Sequence, residues 1–316
     1  MQSINAFSLA SDVSAWLTNS RHPRILHVFD RACNLINERR EVLSIVTPQI
    51  GNGPFNLVVE DDVCFSEHLN NQSPISIRPN QLNLGDLSIN TADAKLWSPR
   101  PNWETLYTRR DDILDHLMSL RASDSERSNP LANFETSSSS GIASSQRASA
   151  LLSMTLPFTN YQSPISSSLI SSLANADLPS SLSAAYQLAG LGIGLTPAGD
   201  DFILGAVLAA WIIHPLEVAS VLAEEITNTA APLTTSLSAA WLRSAGRGEA
   251  GILWHNFFNA LSTGDTSAIQ LQITKLLSIG HTSGADALAG FFGTFFALNS
   301  LLLPNSQEKQ VYVIQR

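Results

Sequence analysis

The sequence predicts an α+β protein in two parts: a β-rich N-terminal region built as a small barrel or sandwich, followed by a mostly α-helical C-terminal region. Three observations carry this expectation. Charge is unevenly spread, with residues 1–150 holding 30 of the 45 charged side chains in the 316-residue chain and residues 151–316 the other 15. Short β-type runs bounded by turn residues crowd the first half. The second half instead carries Ala, Leu, Ile and Phe with recurrent Gly, at lengths and spacings that suit packed helices.

In chain order, the opening MQSINAFSLASDVSAWL lacks both the basic start and the continuous apolar core of a secretory signal. A helix is expected from about Pro23 to Arg40. Strands are expected at Val42–Val46, Phe55–Val59, Ile75–Ile77 and Leu84–Ile89, set apart by Pro48, Gly51-Asn52-Gly53-Pro54, Asn70-Asn71 and Pro79-Asn80. Closely spaced strands of this kind suggest a barrel or sandwich of about five to eight strands. A charged helix, Thr105 to Ser123, would close a first domain of residues 1–123. Residues 124–149, with an unbroken serine run from Ser137 to Ser140, cannot bury enough apolar area to offset the entropy of ordering and read as a linker or mobile loop. Residues 150–316 form the helical domain, and its Ser163–Ser183 patch, interleaved with Leu169, Ile170, Leu173 and Leu182, is expected to be helical in part.

Composition narrows the function classes. Apolar residues make up 44% and charged ones 14%, against roughly 25% charged in an average soluble domain, so the chain is neither a disordered acidic tail nor a charged coiled coil. A net charge of −9 with pI near 5.2 argues against nucleic acid, which requires a basic face. Two cysteines, Cys33 and Cys64, are too few for a disulfide framework or thiolate zinc site and fit a reducing, cytoplasmic setting. Phe202–Ile213 falls well short of the roughly 20 residues a membrane span requires, and Ala287–Leu303 is interrupted by Gly, Thr, Asn and Ser. Both read as buried helices, and no membrane is expected.

The densest chemical signal is the run from Gly190 to Gly205, in which Gly190, Gly192, Gly194 and Gly199 precede Asp200 and Asp201. A glycine loop feeding a buried helix offers unpaired N–H groups and a positive dipole end, an anion cradle. Adjacent carboxylates would repel an anion unless a cation lay between, which suggests Mg²⁺ held by one or two carboxylates and the substrate's own oxygens. Asp in a first helical turn is also favourable without any ligand. A second cluster, Gly280 to Gly290, repeats the pattern: Gly199-x-Asp201-x-x-x-Gly205 matches Gly284-x-Asp286-x-x-x-Gly290, each preceded by a Gly-x-Thr ending at Thr196 or Thr282. If the two helices lie side by side in parallel, Gly205 and Gly290 allow close approach and Asp201 and Asp286 meet at one end. Ser283 and Asp286 can equally form a capping box with no chemistry.

These clusters define the candidate residues. Asp200, Asp201 and Asp286 are the metal-ligating and catalytic candidates, with the Thr196 hydroxyl beside them and His281 as general acid–base or phosphate donor. Gly192, Gly194, Gly199, Thr282 and Ser283 would line the anion. Arg243 and Arg247, two of the three Lys or Arg residues between Tyr186 and Ser300, could pair with its charge, or be ordinary solvated cations. No P-loop, HExxH, GxSxG or Rossmann fingerprint is present, and no organic cofactor is expected.

The runs GLTPAGDD (Gly194–Asp201), GHTSGAD (Gly280–Asp286) and GNGPFNLVVE (Gly51–Glu60) resemble the AllH-like family, one of three subunits associated with oxamate carbamoyltransferase in anaerobic allantoin breakdown. The likeness covers roughly residues 25–60 and 186–300. It implies exchange of a carbamoyl group between oxalurate and phosphate, giving oxamate and carbamoyl phosphate, with a small anionic substrate and other subunits as partners. Such transfer needs N–H donors or a metal where negative charge develops and requires no covalent nucleophile. Two other readings stand beside it. The low charge density suits a non-catalytic assembly subunit with large apolar interfaces, and Asp200, Asp201 and Asp286 could activate water in a free-standing metal-dependent amide or ureide hydrolase.

Overall fold

A computed structural model describes residues 2–127 and 163–302. Most of the proposed linker, residues 128–149, lies outside the described residues; residues 124–127 continue a helix.

The N-terminal part contains β1 (Gln2–Ala10), α1 (Val13–Asn19), β2 (Arg24–Val28), β3 (Ala32–Ile36), β4 (Val42–Val46), β5 (Asn56–Val59), α2 (Phe65–His68), β6 (Ile75–Arg78), β7 (Gln81–Leu84), β8 (Leu87–Asn90) and β9 (Lys95–Trp97). The strands join in the order β2-β3-β4-β5-β1-β8-β7-β6, with β9 also on β1, in a barrel-like sheet. β1 is the hub: Gln2–Asn5 pair parallel to β8, Ser8–Ala10 pair parallel to β9, and the opposite edge pairs antiparallel to β5. Its inward side chains Ile4, Ala6 and Leu9 are buried with those of the other strands.

Two expectations are corrected here. The helix expected over Pro23–Arg40 is instead the β2–β3 hairpin, closed by the Phe29 amide on the Ala32 carbonyl at 2.8 Å. Cys33 and Leu35 pair with Ile45 and Leu43 of β4 and are fully buried; cross-strand packing of this kind outweighs the local helical preference of the Asn-Glu-Arg-Arg segment. The single run Leu84–Ile89 is two strands, β7 and β8, because Gly85 takes φ 54° and reverses the chain.

The helical part comprises α3 (Trp103–Thr108), α4 (Arg110–Arg127), α5 (Pro164–Ala174), α6 (Leu178–Leu188), α7 (Ala198–Ile213), α8 (Leu216–Ala230), α9 (Ser236–Gly246), α10 (Ile252–Thr263), α11 (Thr266–Leu277) and α12 (Ser283–Leu302). α3 and α4 belong to this core and not to the sheet, since Trp103, Leu106, Ile113, Leu114 and Leu117 are buried among its side chains. α7 is buried along nearly its whole surface, which explains an apolar run too continuous for an amphipathic surface helix. Among the described residues no helix is long and apolar enough to cross a membrane.

α7 and α12 run side by side in the same direction, because contacts advance together along both: Asp201 meets Ser283, Gly205 meets Ala287, and Gly290 meets Phe202 and Ala206. A Cβ on Gly205 would collide with the Ala287 carbonyl, and one on Gly290 with the Phe202 carbonyl. The two parts of the molecule are tied at a seam where the Ile252 amide donates to Asn52 O at 2.8 Å, the Ala250 amide donates to Pro99 O at 2.9 Å, and Phe55 meets Trp241 edge-on with centroids 4.8 Å apart.

Candidate functional site

Parallel packing brings the N-terminal ends of α7 and α12, each preceded by a glycine loop, to the same end of the bundle. Positive dipole ends therefore converge there. In the first loop Gly194 has φ 99° with open space where a Cβ would stand, so glycine is required by the backbone conformation and not by crowding. Among the described residues no protein acceptor takes the amides of residues 192–196. The loop also carries Ile193, 97% exposed, at its tip.

The two adjacent aspartates do different work. Asp200, 1% exposed, is a clamp: its Oδ1 accepts from the Gly190 amide at 2.8 Å, and its Oδ2 from the hydroxyls of Ser238 at 2.7 Å and of Thr234. It fastens the start of the glycine loop to the start of α9. Thr235 adds a second tie, its hydroxyl donating to the Leu195 carbonyl at 2.5 Å while accepting from the Ser238 amide as the cap of α9. Sequence reasoning missed Thr234, Thr235 and Ser238. The signal was a hydroxyl-rich helix start, TTSLS, which by itself means only capping.

Asp201, 9% exposed, keeps a buried Oδ2 with no hydrogen-bond partner. Burial pushes its carboxyl up to about 7, and the Asp200 charge adds to the rise while the Ser283 and Thr196 hydroxyls oppose it. Asp286, 3% exposed, is the counterpart on α12: its Oδ2 is also buried and unpartnered, and burial pushes its carboxyl up to about 6. Both carboxyls thus titrate near neutrality, where a group can hold or release a proton.

The Thr196 and Ser283 hydroxyls meet at 2.9 Å and join the two motifs directly. This replaces the capping box expected of Ser283 and Asp286. Ser283 is the first helical residue, and the Asp286 amide bonds the Thr282 carbonyl at 2.9 Å. Gly199 serves packing, its α-carbon lying against the Leu188 carbonyl. Gly192 and Gly194 lie exposed on the loop, and Thr282 and His281 lie exposed in the turn before α12.

Arg243 and Arg247 are not gathered here. They lie in and just after the last turn of α9, the end opposite Ser238, and line a cavity against the β-rich part. The Arg247 guanidinium is engaged by Glu249 at 3.1 and 2.6 Å.

Among the described residues no group of three or more His, Cys, Asp or Glu stands together as a metal-binding set. With both oxygens of Asp200 engaged, the donors left for a cation are the unpartnered oxygens of Asp201 and Asp286. Two hard carboxylate oxygens suit Mg²⁺, which takes its other ligands from water and substrate.

A barrel-like sheet followed by a helical core with paired glycine–aspartate helix starts defines the class of protein. Residues 5–96 match the family model described as the AllH family N-terminal domain, and residues 188–295 match the one described as oxamate carbamoyltransferase subunit AllH. The chain belongs to the AllH family. No solved structure matches it.

Proposed function

We propose that this chain acts in carbamoyl transfer between oxalurate and phosphate as one subunit of a multi-protein enzyme, its substrate anion seated between the starts of α7 and α12. The observation that supports this most directly is the pair of buried, unpartnered carboxyl oxygens on Asp201 and Asp286, at two helix starts linked by the Thr196–Ser283 hydroxyl bond, beside a loop whose amides have no protein acceptor among the described residues. Amides 192–196 would receive substrate oxygens and stabilise charge that develops on the carbamoyl oxygen. As a phosphate oxygen bonds to the carbamoyl carbon, the bond from that carbon to the oxamate nitrogen breaks. The proton that the departing nitrogen needs would come from the attacking hydrogen phosphate, which loses it as carbamoyl phosphate forms. A Mg²⁺ ion belongs to the same proposal: held by Asp201 and Asp286, it would neutralise the carboxylates facing the anion.

The word "subunit" in the family description supports a multi-protein complex, and the cradle is where this proposal seats the partner chain. Leu191 and Ile193 on the loop, Leu233 beside Gly190, and Ile279 before Gly280 are exposed apolar side chains at its rim, where a second subunit would exclude water.

Calorimetry with inorganic phosphate and carbamoyl phosphate, with and without Mg²⁺, tests the reading. Asp201→Asn should abolish metal-dependent binding while the fold persists. Thr196→Val should weaken binding by about 0.5–1.5 kcal/mol, the net effect of one neutral hydrogen bond. Equal affinity in all three proteins would place the anion elsewhere.

A further inference from the structure

Arg243 and Arg247, which the cradle does not use, are half of a second cluster. They face Arg39 and Arg40 across a cleft between the two parts of the molecule, walled by α1, the β3–β4 turn and the end of α9, with a cavity of about 250 Å³. We propose that this cleft is a second anion site, taking a small organic oxyanion whose apolar body rests on Trp16 and Phe55.

Charge pairing leaves the site open to such a ligand. Arg39 is held by Glu41 at 2.9 Å, and Arg247 by Glu249 at 2.6 Å. Arg243 has no acidic partner among the described residues, and Arg40 reaches only the Ser236 hydroxyl at 3.4 Å. Among the described residues Asp12 is the one lining carboxylate outside those pairs. Two uncommitted guanidinium groups against one carboxylate leave a net positive cleft in a chain of net charge −9. A guanidinium binds carboxylate or phosphate through paired N–H donors, the ligand chemistry these side chains recognise.

The backbone supplies an independent observation. Arg40 has φ 62°, a left-handed conformation in which Gly or Asn is far cheaper than a long side chain. The turn keeps arginine there, with its guanidinium directed across the seam to α9. The buried Val13, Trp16 and Phe55 give the cleft an apolar lining, so an anion carrying a ring or short apolar body is favoured over a bare inorganic ion. The site also has a route to the cradle. α9 carries Arg243 in its last turn and, in its first, Ser238, which holds Asp200.

Calorimetry on the full chain with phenyl phosphate and benzoate, against inorganic phosphate and acetate, tests the proposal and distinguishes phosphate from carboxylate ligands. Phenyl phosphate or benzoate should bind the wild type, and more tightly than its inorganic or acetate counterpart. Arg243→Gln and Arg40→Gly should each weaken that binding about tenfold or more, as loss of a charge-assisted contact requires. Asp201→Asn should leave it unchanged, which separates this site from the cradle and its fate from that of the carbamoyl-transfer reading. Arg40→Gly relieves the strained turn, so its unliganded thermal midpoint should hold or rise, and lost binding cannot then be laid to misfolding. Failure of both aromatic anions to bind at millimolar concentration, or binding unmoved by the arginine substitutions, would overturn the proposal.

Discussion

The α6–α7 and α11–α12 corners are built to one packing plan and differ in how they are anchored. In each, the glycine two residues before the shared aspartate lies against a carbonyl at the end of the preceding helix: Gly199 on Leu188, Gly284 on Leu276. In each, the glycine four residues after it lies against the partner helix: Gly205 on Ala287, Gly290 on Phe202. The contacts are reciprocal, since Phe202 and Ala287 each follow the aspartate directly. The anchoring is not repeated. Only the first corner has the extra Asp200, held by Gly190, Thr234 and Ser238, whereas Gly280, His281 and Thr282 of the second lie exposed. The shared spacing therefore encodes helix contact, and the unshared residue fixes one loop while the other stays open to solvent.

Breaking the shared plan should have the largest effect. Gly205→Val and Gly290→Val each drive a branched side chain into a backbone carbonyl that cannot retreat without separating the helices. Each should cost more than about 4 kcal/mol, enough to abolish cooperative folding in denaturant titrations. Gly194→Ala meets no neighbour and is opposed only by its positive φ, so it should cost about 1–2 kcal/mol. Similar small losses at all three positions would mean that the two glycine contacts are not a matched pair.

The carboxylates sharpen the comparison at the next level down. Asp200→Ala orphans an amide and two hydroxyls and should destabilise by about 3 kcal/mol. Asp286→Asn removes a buried acid with an unpartnered oxygen and should be neutral or stabilising at pH 7.5. The pH dependence has a definite sign. Asp201 and Asp286 have folded-state values raised to about 7 and about 6 from 3.8, so folding favours their protonated forms. Their stabilisation is complete below about pH 4 and is lost as pH rises toward 7, by a few kcal/mol in all. Urea midpoints at pH 4.5, 6 and 7.5 should fall less steeply for Asp201→Asn and Asp286→Asn than for wild type. Parallel curves would remove the raised carboxyls.

How much of this was legible follows from where the partners lie in sequence. The strands at Val42–Val46, Phe55–Val59 and Ile75–Ile77 were readable from β-branched runs between turn residues. The β2–β3 hairpin was not, because Cys33 and Leu35 are buried through pairing with β4, and β1 carried no turn signal to mark it as the strand that joins the sheet. The repeated spacing correctly announced the close approach at Gly205 and Gly290. It could not reveal that Asp200 and Asp201, adjacent in sequence, point to different tasks. Asp200 finds its hydroxyl partners 34 and 38 residues away, and side-chain direction on a first helical turn is set by those tertiary partners. For the same reason Arg243 and Arg247 were legible as a four-residue pair but not as part of a cleft against the β-rich half.

The smallest effect separates the two meanings of Ser283. As a helix cap, its hydroxyl would satisfy an amide of α12 and act independently of the first corner. As a bridge, it depends on Thr196, 2.9 Å away on the other loop. Thr196→Val and Ser283→Ala should each cost about 1 kcal/mol, and the double variant should cost less than their sum, because the second substitution removes a bond already broken. A double-mutant cycle in urea should therefore return a coupling of about 0.5–1 kcal/mol, in the range found for residues in direct contact. Measured above pH 8 and below pH 5, the coupling should differ, since the charged Asp201 carboxylate draws on both hydroxyls and its protonated form competes for them less. Strict additivity at both pH values would make Ser283 a local cap and leave the two corners linked only by their glycines.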